Sequence, residues 1–168
     1  MTDKKATSTL PPTKTSFVMS WACSRVAALG AAQVEAVSPR PGSGGEVAVL
    51  SSRLEGNTWD AAVSLFDARV APWHLTAQLS LHDTASVLAW TADPAGTFLV
   101  GSDSGDILVL RSAGASSKDS TPRLVASLQF HDSAVTCIAV SPVDATAVVS
   151  GSADGRCAMR AGRGAMAH

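Results

Sequence analysis

The chain has 168 residues, 13 basic and 14 acidic side chains and a net charge of -1, so no global field draws it to nucleic acid or to an anionic membrane. Hydrophobic residues are 46% and charged residues only 16%, below the ~25% charge of ordinary soluble proteins, a balance that suits strands with sparsely charged faces in a single domain. The cysteines, Cys23, Cys137 and Cys157, are odd in number and form neither C-x-x-C nor a metal-ligand spacing, which argues against a secreted disulfide framework and for a reducing compartment.

Residues 1–15 read as a disordered tail: Lys4, Lys5 and Lys14 vaguely suggest a transit peptide, but Asp3 and Pro11-Pro12 count against an amphipathic helix. Phe17–Ala32 carries Arg25 in its middle and falls short of the ~18 uninterrupted apolar residues of a membrane span. Ser16–Ser24 suits a short strand with Phe17, Met19 and Trp21 on one face, able to complete the last blade of a closed ring. Gln33–Ser38 is a second strand, ended by the flexible loop Pro39-Arg40-Pro41-Gly42-Ser43-Gly44-Gly45. Glu46–Ser52 reads as a buried strand, Arg53–Asp60 as a connection, Ala61–Asp67 as an alternating strand and, after a turn at Pro72-Trp73, Leu75–Leu81 as a fourth.

From His82 the chain repeats itself. His82-Asp83-Thr84-Ala85, an apolar run to Trp90, Phe98-Leu99-Val100-Gly101-Ser102, a turn Asp103-Ser104-Gly105 and the run Asp106–Leu110 return as His131-Asp132-Ser133-Ala134, Val135–Val140, Ala147-Val148-Val149-Ser150-Gly151-Ser152, Ala153-Asp154-Gly155 and Arg156–Met159. The His-Asp pairs lie 49 residues apart and the Gly-Ser pairs 50, a period in the ~20–50 window of propellers and solenoids. The expectation is an all-β, partial propeller: blades at about 33–81, 82–130 and 131–160, with a loop Ser112–Pro122 before the strand Arg123–Phe130, and an irregular tail 161–168. Propellers use ~4–8 blades, so two blades and part of a third do not close. The loss of pattern after about Gly155 reads as truncation, and open inter-blade faces make the isolated chain an aggregation hazard.

The order His dipeptide, strand, Asp/Gly turn, strand ending in Ser-Gly-Ser, Asp-Gly turn and strand resembles the WD40 repeat over roughly residues 33–160. The Trp-Asp signature is replaced by Phe66-Asp67, Leu110-Arg111 and Arg160-Ala161, and the Gly before each His by Leu81 or Phe130. The resemblance implies a hydrogen-bonded network inside each blade: His131 with Asp154 and either Ser150 or Ser152, and His82 with Ser102, facing Ser104 where an Asp is the rule. It implies a structural role for these residues.

A closer resemblance lies in Gln33-Val34-Glu35-Ala36, Val49-Leu50-Ser51-Ser52, Gly56-Asn57-Thr58-Trp59 and Ser64-Leu65-Phe66, which look like the opening of the methylosome WD40 subunit family. That resemblance implies partnership with a type II protein arginine methyltransferase, presentation of histone or spliceosomal Sm substrates, and a cytoplasmic and nuclear location. It implies a docking set of Trp59, Asn57, Thr58 and Phe66, with Trp59 inserted into the methyltransferase and Asn57 standing where the family has Arg. On the residues alone, Trp59 in a polar loop is equally an interface anchor or a cover for its own blade.

Enzyme readings fail. Gly101-Ser102-Asp103-Ser104-Gly105 puts Asp103 where a nucleophile belongs, Gly42-Ser43-Gly44-Gly45 lacks the Lys-Ser/Thr of a phosphate loop, and His74, His82 and His131 have no metal spacing with the cysteines. The expectation is a non-catalytic scaffold without cofactor or metal, binding proteins and neither nucleic acid nor membrane. An adaptor of another complex, such as a ubiquitin-ligase receptor or trafficking subunit, and a non-functional truncated product are the alternatives.

Overall fold

A computed structural model describes residues 29, 32–113, 121–144 and 146–161. The expected strand Ser16–Ser24 and most of both tails lie outside the described residues. Three antiparallel meanders follow one another. The first is β1 (Gln33–Pro39), β2 (Glu46–Glu55), β3 (Thr58–Asp67) and β4 (His74–Leu81); the second is β5 (Ala85–Trp90), β6 (Thr97–Ser102), β7 (Asp106–Arg111) and β8 (Arg123–Gln129). The third has β9 (Val135–Val140), β10 (Val148–Ser152) and β11 (Cys157–Arg160). No α-helix occurs among the described residues, and the sheets form an open, partial propeller.

Burial explains the strand sequences. The middle strands β2 and β6 are covered on both faces and read as continuous apolar runs, whereas β4 alternates, with Leu75, Ala77, Leu79 and Leu81 turned inward and polar residues outward. Each inner strand carries a β-bulge at the same place. Val34 pairs with Ser51, Ala85 with Ser102 and Val135 with Ser152; after the bulge Ala36 pairs with Leu50, Val87 with Gly101 and Cys137 with Gly151. The first sheet therefore shares the register of the repeat although its sequence lacks the His-Asp start.

Adjacent sheets pack face to face. Leu50, Val63 and Leu65 of the first meet Leu88, Trp90, Phe98, Val100 and Leu110 of the second. Leu99 and Ile107 of the second meet Val135, Ile138 and Val140 of the third. Val135 is 0% exposed and seated over Gly101, where an added Cβ would lie 2.6 Å from the Cγ1 atoms of both Val135 and Val87. Gly105, at φ 96, turns the chain against the His131 carbonyl, a conformation and a closeness that a side chain does not tolerate.

The Pro39–Gly45 loop, expected to be merely flexible, clasps the first two sheets together. Arg40 Nη1 donates to Glu46 Oε2 at 2.6 Å, Nη2 donates to the Pro94 carbonyl at 2.8 Å, and the guanidinium lies 5.5 Å from the Trp90 ring centroid. Trp90 Nε1 donates to the Ser38 carbonyl at 2.9 Å and Ser112 Oγ to Glu46 Oε1 at 2.8 Å. A planar fork that hydrogen-bonds in two directions while stacking on an indole is work for Arg and not for Lys.

Two substitutions separate these devices. Gly101→Ala wedges the second and third sheets apart and costs about 1–3 kcal/mol in a urea melt. Arg40→Lys, which keeps the charge and loses the fork, costs about 1 kcal/mol. Its loss shows as faster amide exchange at the first junction and not at the second.

Candidate protein-interaction site

The hairpin β2–β3 outruns its neighbours. Strand β1 ends its pairing at Gln33 with Ser52 and β4 at Leu81 with Ala61, so Arg53–Asp60 forms a two-stranded ribbon beyond the sheet. Its turn is the dipeptide Gly56-Asn57, with Gly56 at φ 65 in the first central position that a tight right-twisted hairpin gives to glycine. Trp59 therefore stands on strand β3 and not in a loop, because the turn needs only two residues and the ladder continues through Glu55 and Thr58.

Leu54 and Trp59 pair directly across the ribbon and are 53% and 51% exposed. Directly opposed side chains share a face, so indole and isobutyl groups form one apolar step. Counting by twos, this is the face that carries Leu50 and Val63 into the junction with the second sheet. Thr58 and Asn57 are also exposed, and Arg53 pairs with Glu55 at 3.0 Å on the other strand, an exposed contact of little energetic weight.

Phe66 does not belong with them. It is 0% exposed, pairs with Val47, and packs with Val49 and with Trp73, whose ring centroid lies 6.3 Å away. Phe66 stands an odd number of residues from Trp59 on the same strand, so the two occupy opposite faces and no single surface presents both. Phe66 is a core residue.

The network residues also divide. His131, 2% exposed, has Nδ1 3.2 Å from Asp154 Oδ2 and Nε2 2.9 Å from Ser150 Oγ. Desolvation opposes the charge on Asp154, yet the Arg156 and Asp132 amides and the His131 ring donate to it, and together they hold its carboxyl below the ordinary range. Ser152 takes another task, donating to the Ser133 carbonyl at 2.8 Å and accepting from the Asp154 amide at 3.1 Å.

In the second sheet His82 is exposed and makes no hydrogen bond among the described residues, a departure from the expected network. The register gives the reason: the position of Ser150 is held by Val100 and that of Asp154 by Ser104, so neither partner of the imidazole remains. Asp83 replaces it. Ser102 Oγ donates to Asp83 Oδ2 at 3.3 Å and lies 2.6 Å from Ser104 Oγ, while Thr84 Oγ1 donates to Asp103 Oδ2 at 2.7 Å.

Comparison with known proteins follows the same lines. The family described as "WD domain, G-beta repeat" matches residues 122–159, which span β8 and the whole third sheet. None of the curated proteins matches the chain. Among solved structures, the crystal structure of Sqt1 from Saccharomyces cerevisiae is similar, with a TM-score of 0.60 at 16% identity, covering 76% of this chain and 31% of that one. The chain thus spans under a third of that structure's length, and the likeness is one of fold.

The unequal histidines give a direct check. His131→Ala leaves the buried Ser150 hydroxyl without its partner and costs about 2–3 kcal/mol in chemical denaturation. His82→Ala, at an exposed position, stays within about 0.5 kcal/mol of the parent chain.

Proposed function

We propose that the chain acts as a non-catalytic, protein-binding scaffold of the methylosome type, which engages a protein arginine methyltransferase through the tip of the β2–β3 ribbon. The observation that carries this reading is the exposed Leu54–Trp59 pair on a ribbon that no neighbouring strand covers. Large aromatics on a rigid base dominate binding energies, because they bury wide area with few torsions to freeze. The resemblance of Gly56-Asn57-Thr58-Trp59 to the methylosome subunit family supplies the identity of the partner. The same resemblance supplies histone or Sm proteins as cargo on other surfaces, and a place in cytoplasm and nucleus.

Asn57 and Thr58 contribute the polar rim of this contact, and Leu54 replaces Phe66 as the second apolar element. The WD40 repeat in the third sheet supports the scaffold class, since this fold generally serves by holding proteins together and not by catalysis.

The test is a quantitative pull-down of the type II methyltransferase by the full chain. Trp59→Ala is expected to weaken capture by ~30-fold or more, the scale of an aromatic hot spot, and Asn57→Ala by less than ~5-fold. Both positions are exposed, so circular dichroism stays unchanged. Undiminished capture by Trp59→Ala would remove the ribbon from the interface.

A further inference from the structure

The molecule ends on two surfaces that are already matched to one another inside it. At the second junction, the β5–β6–β7 face with rows Val87–Gly101–Ile107 and Ala89–Leu99–Val109 receives the inner strand of the next sheet, led by Val135 and Ile138. Contact leaves Leu99 6% and Ile107 3% exposed. The first junction uses the same elements: Ala85 and Leu88, the register equivalents of Val135 and Ile138, pack on the first sheet and are 3% and 7% exposed.

The third sheet repeats the receiving face with nothing on it. Its rows are Cys137–Gly151–Cys157 and Ala139–Val149–Met159, in register with the rows just named. Val149 is 42% and Met159 58% exposed, and both cysteines are exposed. No charged side chain lies among the six. Gly151 leaves the same groove that Gly101 leaves, bordered by the Cys137 sulfur.

At the other end, β1 presents the inserting half of the same joint. By register Val34 stands where Ala85 and Val135 stand, and Val37 where Leu88 and Ile138 stand. These are the residues buried at both internal junctions, yet here Val34 is 49% and Val37 43% exposed.

We infer that two copies of this chain join head to tail, the Val34/Val37 edge of each seated on the Gly151 face of the other, to close a ring of six sheets. Continuity with the two internal junctions selects this occupant, because the geometry of the joint is built twice within the chain and the unfilled halves are its complements. A heterologous joint closes only when its rotation divides the circle. Six sheets fall within the ~4–8 blades around which propellers close. The inference does not depend on the methyltransferase reading, since the ribbon at Arg53–Asp60 lies beyond the seams.

The experiment is light scattering after gel filtration of the full chain, with peptide-resolved maleimide labelling of Cys137 and Cys157. The expected result is a species of twice the chain mass, in which both thiols label about tenfold slower than in the diluted monomer. Val149→Lys and Val37→Lys, each at an exposed position, give monomers of unchanged circular dichroism with fast-labelling thiols. A chain that stays monomeric at high concentration overturns the inference, as do open polymers in place of a dimer. A dimer that survives both substitutions overturns it too, by placing the contact elsewhere.

Discussion

A four-stranded meander has two wide faces and too few residues to bury either, so every sheet here depends on the seat that its neighbour provides. That seat is set by one small residue. At Gly101 the absence of a Cβ lets Val135 descend onto the middle of the preceding sheet, and the junction closes around it with Leu99, Ile107 and Ile138. In the first sheet Leu50 occupies the position of Gly101, and the matching residue of the next strand is the smaller Ala85. Large and small are exchanged across the seam, so the spacing of the sheets is conserved while the residues are not.

This dependence also shapes the interaction site. The face that carries Leu50, Val63 and Leu65 into the first junction continues up the ribbon as Leu54 and Trp59, past the end of the sheet. A stripe that is core at one end becomes contact surface at the other. The lower part of the hairpin, Val47–Ser52 against Ala61–Phe66, is nearly all buried, so the ribbon rises from a clamped base. A partner that meets Trp59 therefore has less chain entropy to freeze than it would at a free loop.

The sheets were legible in the sequence because period, turn glycines and apolar runs are local signals. The repeat at His82 and His131 located the second and third meanders, and the run Glu46–Ser52 located the most buried strand of the first. What was not legible depended on pairing. Arg53–Asp60 has polar ends and a central Gly-Asn, which read as a connection until Gly56 is seen to make the turn in two residues. Phe66 looked like a neighbour of Trp59 in sequence, but its place on the other face follows only once both lie on one continuous strand. Arg40 sat in a run of prolines and glycines, where nothing local announces that Trp90, fifty residues away, waits under it.

The two histidines show how a repeat loses a part without losing its fold. In the second sheet both imidazole partners are gone, Val100 for the one and Ser104 for the other, and the Asp83–Ser102–Ser104 chain ties the same turn with shorter links. That sheet is gripped on both faces, by Leu50 and Val63 on one side and Val135 on the other, and so its turn needs little from within. The third sheet has one face bare and three strands among the described residues. It keeps the buried His131 held between Ser150 and Asp154, with Asp154 also fixing the amides of Asp132 and Arg156. Where packing comes from one side only, the internal hydrogen bonds must hold the strand ends together, which is why the network survives intact at the sheet with the fewest neighbours.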